Sequence, residues 1–256
     1  MRVTRSIVPN LFTLANLFCG FAAIIAAVEN SIDRAAFLIL LSGIFDALDG
    51  VVARLTRSAS EFGVELDSLC DAVSFGVAPS VILYMAFFHS MGNWGQLLAS
   101  LPALAGVLRL ARFNVQLTSL EDKQYFRGMP IPAGAFAILS YVVFVHPSDA
   151  IAAEWKPMAI ILVTTLVSLA MVSTIKYDNL PRPTLSAVRQ RPIIFVVFLA
   201  GVVGSLFSKG LLVFPFMALY MIGGAIRQAI SLMRARRDDN EESDTVEEPD
   251  PDPFDL

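Results

Sequence analysis

Residues 46–71 read DALDGVVARLTRSASEFGVELDSLCD. Four aspartates, Asp46, Asp49, Asp67 and Asp71, stand between stretches apolar enough for lipid. A carboxylate inside a membrane span is costly, so each is by default a functional candidate. Asp46 and Asp49 are three residues apart, Asp67 and Asp71 four apart, and both spacings put a pair on one helix face. The joining segment LTRSASEF is short, so the helices carrying the two pairs are expected to form an antiparallel hairpin with their acidic faces meeting. Four carboxylates in one pocket repel each other, and they are stable together only with protons or cations. Hard oxygen donors suit magnesium, manganese or calcium. Neither sulfur nor histidine is expected nearby, which argues against zinc. The residues alone thus imply a carboxylate cage for one or two divalent ions, near the cytoplasmic boundary of a membrane. Gly50, Ala53 and Gly63 leave room for a ligand to approach the backbone. Arg54 and Arg57 offer guanidinium groups suited to phosphate. Metal, phosphate donors and small residues together describe a site for a diphosphate.

The rest of the chain agrees with a membrane setting. Of 256 residues, 55% are hydrophobic and 16% charged, with mean hydropathy +0.64; a soluble domain carries about a quarter charged residues. The apolar residues come in about eight blocks of the length a bilayer core requires. They lie near 9–28, 35–55, 64–88, 96–116, 131–146, 156–175, 192–208 and 210–231, the fifth and seventh being short. Pro9 and Asn10 interrupt the start of the first block and further spans follow at once, so a retained helix is expected there rather than a cleaved signal. The expected fold is all-α, a polytopic transmembrane helix bundle of about eight spans over residues 1–236.

Lys and Arg alternate between loops. Arg2 and Arg5, then Arg54 and Arg57, then Arg112, Lys123 and Arg127, then Lys176, Arg182, Arg189 and Arg191, and finally Arg227, Arg234, Arg236 and Arg237 fall on one side. The intervening loops are poor in both residues, so the positive-inside rule puts both termini in the cytoplasm. The net charge of −4 comes from the acidic, Pro-containing end of the chain. Residues 237–256 are expected to be a disordered cytoplasmic tail. Cys19 and Cys70 have no metal-ligand spacing, and His89 and His146 suit interfacial packing. Thr13 and Asn16, one turn apart on the first span, suit hydrogen bonds between helices or a place facing the site, the former favoured.

The central stretch can be written Asp46-x-x-Asp49-Gly50-x-x-Ala53-Arg54, eight residues, then Gly63-x-x-x-Asp67-x-x-x-Asp71. This pattern resembles, without departure, the signature of the CDP-alcohol phosphatidyltransferase family. PNLFTLANLFCG (9–20), LARFN (110–114) and FRGMPIPAGA (126–135) resemble segments of its serine-using branch. Recognisable motifs cover about residues 6–135; beyond them the likeness rests on hydrophobic pattern. The resemblance implies a transmembrane bundle in the cell (inner) membrane with a two-metal site, Mg2+ or Mn2+, facing the cytoplasm. It implies that Asp46, Asp49, Asp67 and Asp71 hold the ions, with Asp71 also the general base. Gly50, Ala53, Arg54 and Gly63 would contact the CDP-lipid, and Arg112, Asn114 and Arg127 are candidates for serine. The implied reaction takes CDP-diacylglycerol and L-serine to phosphatidylserine and CMP.

Rival readings stay open. Glycerol phosphate, inositol phosphate or choline are alternative acceptors on the same scaffold, and Arg57 or Arg127 suits an acceptor's own phosphate. An intramembrane prenyltransferase would place its two acidic motifs far apart. A cation transporter would show repeats or broken helices in both halves, whereas residues 131–231 carry no acidic residue at a span centre. Neither a P-loop nor a Rossmann fingerprint is present, and no nucleic-acid partner is expected. Membrane lipids are expected contacts. The sequence leaves the oligomeric state open, although homodimers are common in families of this kind.

Overall fold

A computed structural model describes residues 3–56, 60–118, 126–177 and 212–245. Helix α1 (Val3–Val28) turns at Asn30, φ 59°, into α2 (Ile32–Thr56), and the two pack along each other. A positive φ is tolerated by Asn because its side chain bonds locally. Helix α3 (Glu61–Asp71) is followed without interruption by a wider π-helical stretch Ala72–Val77, then α4 (Ala78–Leu83) and a second π-helical stretch Tyr84–Phe88. A 3-10 turn (His89–Met91) ends at Gly92, whose φ of 57° reverses the chain into α5 (Gly92–Thr118). Helices α6 (Ile131–Ser140, continued by a π-helical stretch Tyr141–Val145), α7 (Lys156–Val172) and α8 (Val213–Thr245) complete the bundle.

Among the described residues the β structure is one two-residue pair, β1 (Phe126–Arg127) antiparallel to β2 (Lys176–Tyr177). It joins the loop after α5 to the loop after α7, so two of the loops rich in Lys and Arg meet at one end of the bundle. The fold is helical as expected. Three stretches are long and apolar enough to cross a membrane, Ile7–Val28, Ile32–Thr56 and Glu61–Val115, the last folded back at Gly92. Ile131–Val145 and Lys156–Val172 are shorter apolar helices. The block at 192–208 lies outside the described residues, and the block at 210–231 falls on α8. Helix α8 continues through Thr245, into the stretch whose composition predicts disorder. Once a helix is nucleated, each further residue costs little to add.

Polarity runs inside out. Leu11, Phe18, Phe21, Phe37 and Leu40 are exposed on α1 and α2, while Thr13, Asn16, Ser42, Asp49, Asp71 and Ser74 are buried. Lipid tails are as apolar as leucine, so such helices associate through close packing and interhelical hydrogen bonds. Close packing is clearest at Gly20, where a Cβ would lie 2.7 Å from Ser74 Cα. Helix α6 is the centre of the apolar core: eight of its ten residues are buried, Ile131 and Ile138 completely.

Candidate functional site

The site begins with a helix start. Ser60, in extended conformation, accepts a hydrogen bond from the Gly63 amide at 3.1 Å and so caps α3. A Cβ on Gly63 would sit 3.2 Å from that hydroxyl, so the missing side chain also protects the cap. From this start α3 carries Asp67 and Asp71 toward the last turns of α2, where Asp46 and Asp49 lie. Carboxylate oxygens of Asp46, Asp49 and Asp67 come within 4.8 Å of one another. At an effective dielectric near 20, like charges this close repel by roughly 3 kcal/mol per pair. The arrangement is stable when a cation lies between them.

The donor set fits a hard divalent ion. Two oxygens on opposite sides of one ion are about 4.2 Å apart for magnesium and about 5 Å for calcium, the scale of the observed cluster. Asp67 Oδ1 is buried without a hydrogen-bond partner among the described residues, an acceptor left over for a ligand. The sequence expectation that no sulfur lies near is corrected: Cys70 is buried within electrostatic reach of Asp67, Asp71 and Asp49. Adjacent helix positions point different ways, and the thiol is not one of the three converging ligands.

Asp71 is outside that close trio. It is buried, and its Oδ1 accepts from Asn16 Nδ2 at 3.1 Å. Asn16 is held in turn: Ser42 Oγ donates to its side-chain oxygen, and Ser74 Oγ donates to its main-chain oxygen at 3.1 Å. One turn earlier on α1, Thr13 Oγ1 donates to Asp49 Oδ2 at 2.9 Å. Thr13 and Asn16 therefore do bond between helices, and their partners are two of the four aspartates. Sequence spacing pairs them on one face of α1, but the register of α1 against α2 and α3 decides what that face meets.

Beside the aspartates is a cavity of about 220 Å³. Gly50, Ala53, Arg54 and Gly63 all line it, together with Asp49 and Asp67. The sequence did not assign Pro9, Asn10 and Ser60, which line it as well. The space is large enough for a hydrated phosphate group. A Cβ on Gly50 would stand 3.4 Å from Arg54 Nη1, an ordinary contact distance, so the guanidinium lies directly over this glycine.

The acceptor candidates are spread more widely. Arg112 Nη1 donates to the Val172 carbonyl at 2.9 Å and so holds the C-terminal end of α7. Asn114 accepts from Ser68 Oγ and donates to Glu65 Oε2, both at 3.1 Å, tying α5 to α3. Neither lines the cavity. Arg127 is placed by its backbone in β1. Arg57 lies outside the described residues. Sequence reading passed over Arg109, one turn before Arg112 on α5. The signal was available, since a basic residue within an apolar span stands out as an acidic one does.

Comparison with known proteins agrees with this geometry. The family model described as CDP-alcohol phosphatidyltransferase matches residues 6–175. A Helicobacter pylori protein named CDP-diacylglycerol–serine O-phosphatidyltransferase is 36% identical over 220 residues, covering 86% of this chain and 90% of that one. Proteins of the same name from Methanocaldococcus jannaschii and Bacillus subtilis are 37% and 33% identical, over 68% and 67% of this chain and 75% and 90% of theirs.

Proposed function

The chain belongs to the CDP-alcohol phosphatidyltransferase family, and on that footing we propose that it transfers the phosphatidyl group of CDP-diacylglycerol to the hydroxyl of L-serine, releasing CMP and forming phosphatidylserine. The observation that carries the reading is the convergence of Asp46, Asp49 and Asp67 within 4.8 Å, beside a cavity lined by Gly50, Ala53, Arg54 and Gly63. The similar proteins named for serine support the choice of acceptor.

In this reading Asp46, Asp49 and Asp67 hold Mg2+ or Mn2+ as a two-ion site, and Asp71 contributes from its own side. The bound metal supplies charge neutralisation at the diphosphate and at the departing CMP. Arg54 binds a phosphate oxygen. Gly50, Ala53 and Gly63 give the nucleotide end access to the helix backbones. Thr13 keeps the Asp49 carboxylate turned, and Asn16 does the same for Asp71. The serine hydroxyl oxygen forms a bond to the phosphorus that bears diacylglycerol. The phosphorus–oxygen bond to CMP breaks, CMP leaves with the electron pair, and Asp71 takes the hydroxyl proton. The nucleotide and serine come from the cytoplasm, the side of the Arg-rich loops, and the acyl chains stay in lipid.

The test is CMP release from CDP-diacylglycerol by the purified chain under Mg2+ or Mn2+, with L-serine, glycerol phosphate, inositol phosphate and choline added in turn. Stimulation by L-serine alone, with phosphatidylserine formed, is the expected result. Stimulation by another alcohol alone would keep the scaffold and overturn the acceptor. No release with any of them from folded protein would overturn the enzymatic reading.

A further inference from the structure

Helix α5 carries two arginines one turn apart, Arg109 and Arg112, and the fold uses them differently. Arg112 is bonded to the end of α7. Arg109 is not so engaged: its Nε is buried without a hydrogen-bond partner, and no ion pair holds its guanidinium, among the described residues. The groups whose charge reaches it are Asp71 and Tyr220. A guanidinium inside an apolar span without a close counter-ion is costly, and such a group marks a place where an anion is bound. The diphosphate does not account for it. The cavity that suits a phosphate lies among α1, α2 and α3 with Arg54 in its wall, and Arg109 is not part of that lining. A second anion, bound on the side of Asp71 where Arg109 lies, would satisfy the guanidinium.

The proposed acceptor carries one. In L-serine the carboxylate and the hydroxyl sit on adjacent carbons, so anchoring the carboxylate fixes the hydroxyl within a few ångströms. We infer that Arg109 is the acceptor-binding residue, pairing with the carboxylate of L-serine and presenting its hydroxyl to Asp71. This rests on the function proposed above and adds the residue that selects a carboxylate-bearing alcohol. A guanidinium matches a carboxylate with two parallel hydrogen bonds, which a lysine cannot reproduce.

The experiment compares L-serine with L-serinamide, which keeps the hydroxyl and removes the carboxylate charge, using CMP release by the full chain in mixed micelles. Serine-dependent release by the wild type is established first; without it the function itself fails, before any variant is made. Arg109→Gln is expected to raise KM for L-serine at least tenfold and to leave KM for CDP-diacylglycerol within about threefold. It should also erase the preference for serine over serinamide. Arg109→Lys, which keeps the charge should the neutral variant fail to fold, is expected to retain part of that preference with a raised KM for L-serine. A preference kept at the wild-type level in either folded variant would overturn the inference. So would a rise confined to KM for CDP-diacylglycerol, which would assign the guanidinium to the diphosphate.

Discussion

Asn16→Leu removes one donor from the site and little else. Asn16 is completely buried, and its Nδ2 is the group that bonds Asp71 Oδ1 at 3.1 Å. The two serines that bond Asn16 do not lose their acceptor, because both also reach its main-chain oxygen, Ser42 at 3.3 Å and Ser74 at 3.1 Å. Leucine has a similar volume, so the packing of α1 against α2 and the π-helical stretch is preserved. The loss falls on Asp71. A hydrogen bond to a charged group is worth about 1.5–3 kcal/mol, and about 1.4 kcal/mol is tenfold in rate. If Asp71 receives the proton, kcat should fall roughly 10- to 150-fold, with KM for CDP-diacylglycerol within about threefold. The assay is CMP release at saturating lipid and L-serine, with thermal unfolding of the same preparation. A folded variant whose kcat stays within about twofold of wild type would refute the reasoning and leave Asn16 a packing residue.

Four further outcomes are expected. Asp71→Asn should abolish turnover while CDP-lipid binding, measured by equilibrium dialysis of labelled lipid micelles, is largely kept; near-normal turnover removes Asp71 as the base. Chelation should stop CMP release, Mg2+ or Mn2+ should restore it and Zn2+ should not, since the converging ligands are three carboxylates. Gly20→Ala forces a methyl group to within 2.7 Å of Ser74 Cα and should destabilise the bundle by about 1–3 kcal/mol, read as a drop in Tm. Arg112→Ala removes the bond to Val172 and should lower stability by about 1.5–3 kcal/mol, and an unchanged Tm would count against that role.

What could be read from the sequence was what depends on short spacing. The separations among Asp46, Asp49, Asp67 and Asp71, with few residues between the two helices, are enough to bring three carboxylates together. The same logic places Gly50, Ala53, Arg54 and Gly63 on one cavity. What could not be read depends on how distant helices register. Asn16 and Thr13 find their aspartates because of the rotation and height of α1 against α2 and α3. The division of labour between Arg109 and Arg112 depends on where α7 ends. The π-helical widening after Asp71 and the pairing of Phe126–Arg127 with Lys176–Tyr177 leave no periodic trace in the chain.

The rim of the cavity has a kinetic consequence. Its lining residues Asn10, Gly63 and Val64 neighbour Leu11 and Phe62, whose side chains are exposed to the surroundings of the bundle. For a lipid substrate, encounter then takes place by lateral diffusion within a two-dimensional phase. The concentration that governs saturation is the mole fraction of CDP-diacylglycerol in the bilayer, not its amount per volume of solution. Diluting that lipid with an inert one at constant total substrate should slow the reaction, while diluting whole vesicles in buffer should not.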